Sequence, residues 1–178
     1  MRKIIAGFAT SIDGFIEGSK GEIDWIIYDK EQFKDLGKQW ESLDAMFHGR
    51  KTYEAVLRMN NESGVPQENP FAHMKHYVFS NSLKEVGQGY ILINGDLKTE
   101  VEKIKNQPGK DIAVFGGAAL LSSLLNNDLV DELSLAICPV LIGKGKAFFP
   151  NVEKRIDWKV KDVKTYNSGL IYITYQRK

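Results

Sequence analysis

Ile112-Ala113-Val114-Phe115-Gly116-Gly117-Ala118-Ala119-Leu120-Leu121 passes from a β-rich run through two glycines into a helical pattern. A strand that ends in glycine at a helix start offers bare backbone N–H groups and the positive end of the helix dipole to an approaching phosphate. The same order of features occurs earlier, in Ala45-Met46-Phe47-His48-Gly49-Arg50-Lys51-Thr52-Tyr53-Glu54-Ala55-Val56. There an apolar run meets Gly49, then two cations, then a helix opening. One such junction is common, because strand-to-helix turns use glycine routinely. Two in one small chain point to a pyrophosphate held between two helix ends, with Arg50 and Lys51 adding positive charge.

Working outward, Ser80-Asn81 closes a third strand-like run. Small hydrogen-bonding residues at several strand C-termini suit a ligand crevice above a parallel sheet. Arg50, Lys51 and Ser80 together would bind a further phosphate, which favours NADP over NAD. Strand signals recur at Lys3–Ala9, Ala45–His48, His76–Ser80, Tyr90–Ile93, Asp111–Phe115, Asp131–Pro139, Trp158–Tyr166 and Leu170–Gln176. Helical patterns lie between them. Phe33, Leu36, Trp40 and Leu43 follow Asp29 as N-cap, while Tyr53, Val56 and Leu57 follow Thr52 as N-cap. Leu97, Val101 and Ile104 follow Asp96 and end at Pro108-Gly109, and Gly117 to Leu125 is a nearly apolar, buried helix. This alternation predicts an α/β sheet. The last two strands are joined only by Asn167-Ser168-Gly169, too short for a crossover helix, so they form an antiparallel hairpin. Asn60 to Pro70 is polar and rich in turn formers and is expected to be a long loop.

Length and composition narrow the function classes. The 178 residues suffice for one domain with its own core, residues 1–178, and 43% apolar with 26% charged residues is ordinary globular composition. A net charge of +1 gives no general attraction to nucleic acid or to a membrane, so any anion site is local. No run reaches the roughly 20 apolar residues of a membrane span. The apolar start, Met1 to Ala9, runs straight into Asp13-Gly14 and reads as a first strand rather than a leader, so a cytoplasmic location is expected. The single cysteine, Cys138, lies in an apolar run as a buried, inert thiol.

Several familiar chemistries are missing. No G-x-G-x-x-G follows the first strand, and no G-x-S-x-G elbow is present. Gly143-Lys144-Gly145-Lys146 lacks P-loop spacing and reads as an exposed basic turn. His73 and His76 have no third ligand nearby, so no metal is expected and both are read as solvated or lightly packed. The segment Thr10 to Gly18 is a turn in its simplest reading; functionally it is placed to lie over the reactive end of a cofactor. In Gly21-Glu22-Ile23-Asp24-Trp25 a carboxylate adjoins a large aromatic. Asp24 is either a solvated turn residue or, shielded by Trp25, a proton donor or an anchor for a heterocycle. The expected substrate pocket is bounded by Ile12-Asp13-Gly14, Asp24-Trp25, the helix starting near Asp29, and the Asn60–Pro70 loop.

Taken in order, these residues resemble the dihydrofolate-reductase-like superfamily, and within it the reductase (C-terminal) domain of the riboflavin-biosynthesis deaminase–reductase together with related stand-alone bacterial proteins. Ser11-Ile12-Asp13-Gly14-Phe15-Ile16 is similar to that branch's S-[LV]-D-G-x-I. Gly49-Arg50-Lys51-Thr52-Tyr53-Glu54 resembles the G-R-x-T-[WY]-E of dihydrofolate reductases, and Gly116-Gly117-Ala118-Ala119-Leu120 the second phosphate junction. Leu129-Val130-Asp131-Glu132-Leu133 and Pro139-Val140-Leu141-Ile142-Gly143 are similar to L-V-D-E-L and P-V-L-[LI]-G, the signatures most specific to the branch.

The resemblance implies a three-layer fold with a mixed, mostly parallel eight-stranded sheet and helices on both faces. It implies NADPH as cofactor, held by Ile12, Gly49, Arg50, Lys51, Thr52, Ser80, Asn81, Phe115, Gly116, Gly117, Ala118, Ala119 and Leu120. It implies hydride transfer to a small heterocyclic or ribosylaminopyrimidine-like substrate, with dihydrofolate or pteridine reduction and a non-catalytic NADPH-binding sensor as alternatives, and a homodimer. Departures are specific. Phe115 stands where the branch usually has glutamate, and Glu68-Asn69-Pro70 is only a loose counterpart of its D-N-P. Asp13, Asp29 and Glu31 join Asp24 as candidate catalytic carboxylates.

Overall fold

The computed structural model describes residues 1–63 and 71–178. The chain runs β1 (Ile4–Ser11), β2 (Phe15–Gly18), α1 (Lys30–Trp40), β3 (Leu43–Gly49), α2 (Arg50–Ser63), β4 (Lys75–Phe79) and β5 (Tyr90–Ile93). It continues with α3 (Leu97–Lys105), β6 (Asp111–Gly116), α4 (Ala118–Asn126), β7 (Glu132–Cys138), β8 (Gly145–Ala147), β9 (Trp158–Thr165) and β10 (Ile171–Arg177). Eight strands form one sheet in the order β5-β4-β3-β6-β1-β7-β10-β9, parallel from β5 to β7 and antiparallel through β10 and β9. The mixed sheet and its C-terminal hairpin are those expected from the alternation of signals.

Alternation along the strands divides the sheet into two faces. Ile4 and Ala6 of β1, Ala45 and Phe47 of β3, and Ile112 and Val114 of β6 pack with Val101 and Ile104 of α3 and with Leu121, Leu124 and Leu125 of α4. The opposite face carries Ile5, Leu43, Met46 and Ala113 beneath Trp40 of α1. Cys138 is fully buried, as its surroundings predicted.

Three boundaries differ from the sequence reading. Helix α1 begins where Asp29 accepts the N–H groups of Glu31 and Gln32 at 2.9 and 3.0 Å, but it stops at Trp40. Ser42 closes it by donating its N–H and hydroxyl to the Gln39 carbonyl, at 3.0 and 2.6 Å. Leu43 therefore belongs to β3, because burial against Ile5 and Met46 outweighs its helical spacing from Trp40. Helix α2 leaves β3 directly at Arg50, which puts Thr52 in its first turn rather than at its cap. It also runs to Ser63, so residues 60–63 are helical rather than looped; the remainder of the expected loop, with Glu68-Asn69-Pro70, lies outside the described residues. Gly145–Ala147 is a strand, not an isolated turn, pairing antiparallel with β2.

The branch signature at Asp131-Glu132 is structural. Asp131 accepts the Ile4 N–H and the Lys105 ammonium, each at 2.7 Å, tying β1 and α3 to the entrance of β7. Glu132, 3% exposed, pairs with Lys3 and Lys161, both at 2.8 Å. Burial pushes its carboxyl pKa up, the two ammonium groups outweigh that, and the net shift is downward.

Candidate functional site

The two glycine junctions are brought together because β3 and β6 are parallel neighbours, with His48 opposite Gly116. A Cβ on Gly49 would come within 3.4 Å of the Gly117 nitrogen. Cβ atoms on Gly116 and Gly117 would come within 3.3 and 3.0 Å of the Thr52 hydroxyl oxygen. Gly116 also has φ +140°, a conformation side chains disfavour, and the Gly116–Gly117 peptide is cis. Gly117 caps α4 without a side-chain acceptor, so the first N–H groups of that helix have no capping side chain. The result is a patch of bare backbone between two helix N-termini.

The other predicted cofactor residues spread around this patch. Arg50 is exposed and pairs with Glu54 at 3.1 Å, whereas exposed Lys51 has no ion pair among the described residues. The Ser80 hydroxyl oxygen accepts the N–H groups of Ser82 and Leu83, at 3.2 and 3.1 Å, and the Asn81 side chain accepts that of Gly95 at 2.9 Å. These contacts shape the turn after β4, next to β3. Ala118 and Leu120 are buried, Ala119 is exposed, and exposed Ile12 donates its N–H to Val140 at 2.9 Å.

Beside the junction, under α1, lies a cavity of about 450 Å³. Its floor is a run of small residues on one sheet face: Gly7 and Ala9 of β1, Ala113 of β6, and Ser134 and Ala136 of β7. Gly7 is exposed although β1 is central, and a Cβ there would meet nothing within 4 Å. The walls are largely aromatic and aliphatic, with Phe33, Leu36 and Trp40 of α1 facing Phe71 and Phe115. Phe115, 42% exposed, therefore joins the cavity to the Gly116–Gly117 junction.

Polar groups in the wall are few. Tyr172 donates its hydroxyl to the Gln39 side-chain oxygen at 3.1 Å, and burial raises its pKa. Ser134 is paired with Thr174 at 3.3 Å. Gln32 lines the cavity and is only 5% exposed, yet its carboxamide has no partner among the described residues. Sequence reasoning missed it. Its signal was a shared helix face with Leu36 and Gln39, at helical spacing in a segment read mainly for its apolar members.

The predicted carboxylates are not brought into this cavity. Asp24 is exposed, and Trp25 packs against the cluster of Ala136, Cys138, Tyr166 and Leu170 without itself lining the cavity. Asp13 folds back to accept the Ser11 hydroxyl at 2.6 Å and the Gly143 N–H at 2.7 Å, contacts that hold its pKa below the usual range. Asp29 is used as the α1 cap, with Ser168 the largest influence lowering its pKa. Glu31 pairs with Lys164 at 3.1 Å. The cavity boundary thus differs from the expected one: the helix after Asp29 forms it, whereas none of Ile12, Asp13, Gly14, Asp24 and Trp25 lines it. Among the described residues, no Asp, Glu, Lys, Arg or His lines it.

His76 is also corrected. It is buried on the cavity side of the sheet, its Nδ1 lies 2.9 Å from His48 Nε2, and its Nε2 lies 3.0 Å from the Phe71 carbonyl oxygen. Burial first, and His76 second, lower the His48 pKa to about 4. No group of three potential ligands is placed for a metal among the described residues, and none of their helices is long and apolar enough to cross a membrane.

The eight-stranded sheet, parallel except for its last two strands, with helices packed on it, is the dihydrofolate-reductase-like α/β fold. Dihydrofolate reductase from Enterococcus faecalis shares that fold at TM-score 0.68 and 15% identity, over 99% of this chain and 96% of its own. Within the class, the chain belongs to the RibD C-terminal domain family, whose model matches residues 2–172. The uncharacterized protein YyaP of Bacillus subtilis is 39% identical over 180 residues, covering 98% of this chain and 94% of YyaP. A Shewanella sp. PV-4 protein named for riboflavin biosynthesis aligns over 99% of both chains, at TM-score 0.83 and 26% identity. The Thermotoga maritima diaminohydroxyphosphoribosylaminopyrimidine deaminase/5-amino-6-(5-phosphoribosylamino)uracil reductase matches 99% of this chain over 57% of its own, at TM-score 0.72 and 18% identity.

Proposed function

We propose that this protein is an NADPH-dependent reductase acting on a small heterocycle, ribosylaminopyrimidine-like or pteridine-like, in the cavity under α1. The observation that carries this reading is the continuity of three features: the Thr52–Gly116–Gly117 patch, Phe115 and the cavity. The patch fits a pyrophosphate, since a Cβ at Gly49, Gly116 or Gly117 would fill it. Arg50, Lys51 and Ser80 are the residues proposed to favour a 2′-phosphate, with Asn81, Ile12 and Ala118–Leu120 completing the frame. When bound, the cofactor supplies hydride. The chain's own contribution is placement and water exclusion, which the aromatic walls at Phe33, Trp40, Phe71 and Phe115 suit.

The RibD-type family favours the ribosylaminopyrimidine reading, and the flat aromatic walls favour a pteridine equally well. A non-catalytic NADPH sensor is the second reading, favoured by a cavity without carboxylates among the described residues. The proposal includes a cytoplasmic homodimer in which a second copy covers Val160, Val163 and Ile171, which are 58, 51 and 36% exposed on the last two strands. Fluorescence titration with NADPH tests the core of the proposal, and an intact protein that binds none rejects it. Binding without oxidation in the presence of any pteridine or ribosylaminopyrimidine selects the sensor. Light scattering near 20.1 kDa at micromolar concentration excludes the dimer.

A further inference from the structure

We propose that Lys164 is a latch that holds α1 closed over the cavity, and that its release lets the N-terminal end of the helix lift and open the way in. The proposal concerns the wall of the cavity used in the reductase reading, but its test needs neither cofactor nor substrate.

Helix α1 is amphipathic, yet its apolar stripe is not packed on the sheet. Phe33, Leu36 and Trp40 line the cavity, and the floor includes Gly7, Ala9, Ala113 and Ala136, side chains too short to reach across. Gln32 is the one buried residue of the helix. By contrast, α3 and α4 bury Val101, Ile104, Leu121, Leu124 and Leu125 in the main core. Burial of an apolar stripe is what ordinarily fixes a helix. In α1 it acts at the C-terminal end, where Trp40 packs against the cluster of Leu43, Met46 and Met74 and meets the Phe71 ring at 4.8 Å between centroids.

The rest of α1 is gripped from the side by polar groups of the β9–β10 hairpin. Glu31, Asp35 and Gln39 recur every four residues and so form one stripe. Lys164 Nζ lies 2.5 Å from Asp35 Oδ2 and 3.1 Å from Glu31 Oε1, bridging two successive turns. The ammonium sits over the Tyr166 ring, 4.9 Å from its centroid, and the Tyr166 hydroxyl donates to the same Asp35 oxygen at 3.2 Å. Farther along, Tyr172 donates to Gln39 at 3.1 Å. An exposed ion pair is weak by itself. Here it decides the position of the helix, because lifting away from a void gives up little apolar contact. Salt screens such pairs, so the latch is salt-sensitive.

The test is thiol labelling on the cavity floor. In Gly7→Cys the new side chain enters open space, since a Cβ there meets nothing within 4 Å. Its rate of reaction with 4,4′-dithiodipyridine, a neutral aromatic disulfide, is measured on the full chain without nucleotide. The parent chain, with buried Cys138 alone, supplies the background. Adding Lys164→Met keeps the aliphatic stem on Tyr166 and removes the charge. It is expected to speed labelling at least threefold, and Lys164→Arg is expected to restore the slow rate. About 1 M NaCl should bring Gly7→Cys to the fast rate and leave the Lys164→Met protein unchanged. An unchanged rate in Lys164→Met, an equal salt effect with and without Lys164, or rates that merely follow each protein's urea unfolding constant overturn the proposal. The salt arm stands even if Lys164→Met does not fold, and Ala113→Cys on the same floor is a second reporter. NADPH titration of the parent chain separates the readings. NADPH binding with labelling indifferent to Lys164 sinks the latch alone, and Lys164-dependent labelling without NADPH binding sinks the reductase proposal alone.

Discussion

The Thr52 hydroxyl sits so close to Gly117 that a Cβ on that glycine would fall within 3.0 Å of it. Gly117 has φ −95°, an ordinary angle, so space alone demands glycine there. Gly117→Ala is therefore expected to push the first turn of α2 away from α4, costing about 1–3 kcal/mol of stability by overpacking. It should also weaken NADPH at least tenfold. Urea unfolding and fluorescence titration measure the two effects, and unchanged NADPH affinity would remove the junction from the cofactor site.

Arg50 and Lys51 both lie on the exposed first turn of α2, and among the described residues only Arg50 has an ion-pair partner, Glu54. Replacing both by Ala removes the charged donors without touching the core. NADPH affinity should fall at least tenfold while NADH affinity changes little, because only the former carries the extra phosphate. Equal losses for both nucleotides would show that these side chains hold the pyrophosphate instead.

The His48–His76 pair makes stability depend on pH. Folding lowers the His48 pKa from 6.5 to about 4, so the unfolded chain binds the proton first. The stabilisation is complete above pH 6.5 and is lost as pH falls through about 4. The integrated loss is on the order of 3 kcal/mol. Denaturant unfolding at pH 7, 5.5 and 4 should show this slope flattened in His48→Leu. Parallel pH profiles for the two proteins would place the sensitivity elsewhere.

Glu132 is 3% exposed, while Lys3 and Lys161 are each about half exposed at its sides. Replacing either lysine with Ala leaves the other in place and should cost under about 1 kcal/mol. Replacing both strands a buried carboxylate and should cost about 3 kcal/mol, more than the sum of the singles. A double-mutant cycle by thermal unfolding reads the coupling, and strict additivity would show that the pairs act independently.

Asp24 is exposed and stands apart from the cavity wall. Asp24→Asn is expected to leave NADPH affinity unchanged and turnover on any accepted heterocycle within twofold of the parent. A loss of tenfold or more at saturating substrate would restore Asp24 as proton donor and imply that the segment around Trp25 moves over the ligand.

Local chemistry made much of this molecule legible in its sequence. Glycine at the end of a β-rich run marks a strand-to-helix junction through backbone freedom alone, so Gly49 and Gly116-Gly117 announced both junctions. Hydrophobic periodicity gave the eight strands of the main sheet but not the short β2–β8 pair, and Asn167-Ser168-Gly169 gave the antiparallel hairpin. Leu43 escaped because spacing from Trp40 is a local signal, whereas burial against Ile5 and Met46 arises across strands. His76 escaped for the same reason, since its partner His48 is on another strand 2.9 Å away. What the sequence determined was the order of elements, the sheet's mixed character and the glycine junctions, all set by residues near one another along the chain. Only the tertiary structure decided that Gly7, Ala9, Ala113 and Ala136 leave one cavity, that Gln32 lines it, and that Asp13, Asp29 and Glu31 are engaged elsewhere. A void is a property of what distant segments fail to fill, and no single segment encodes it.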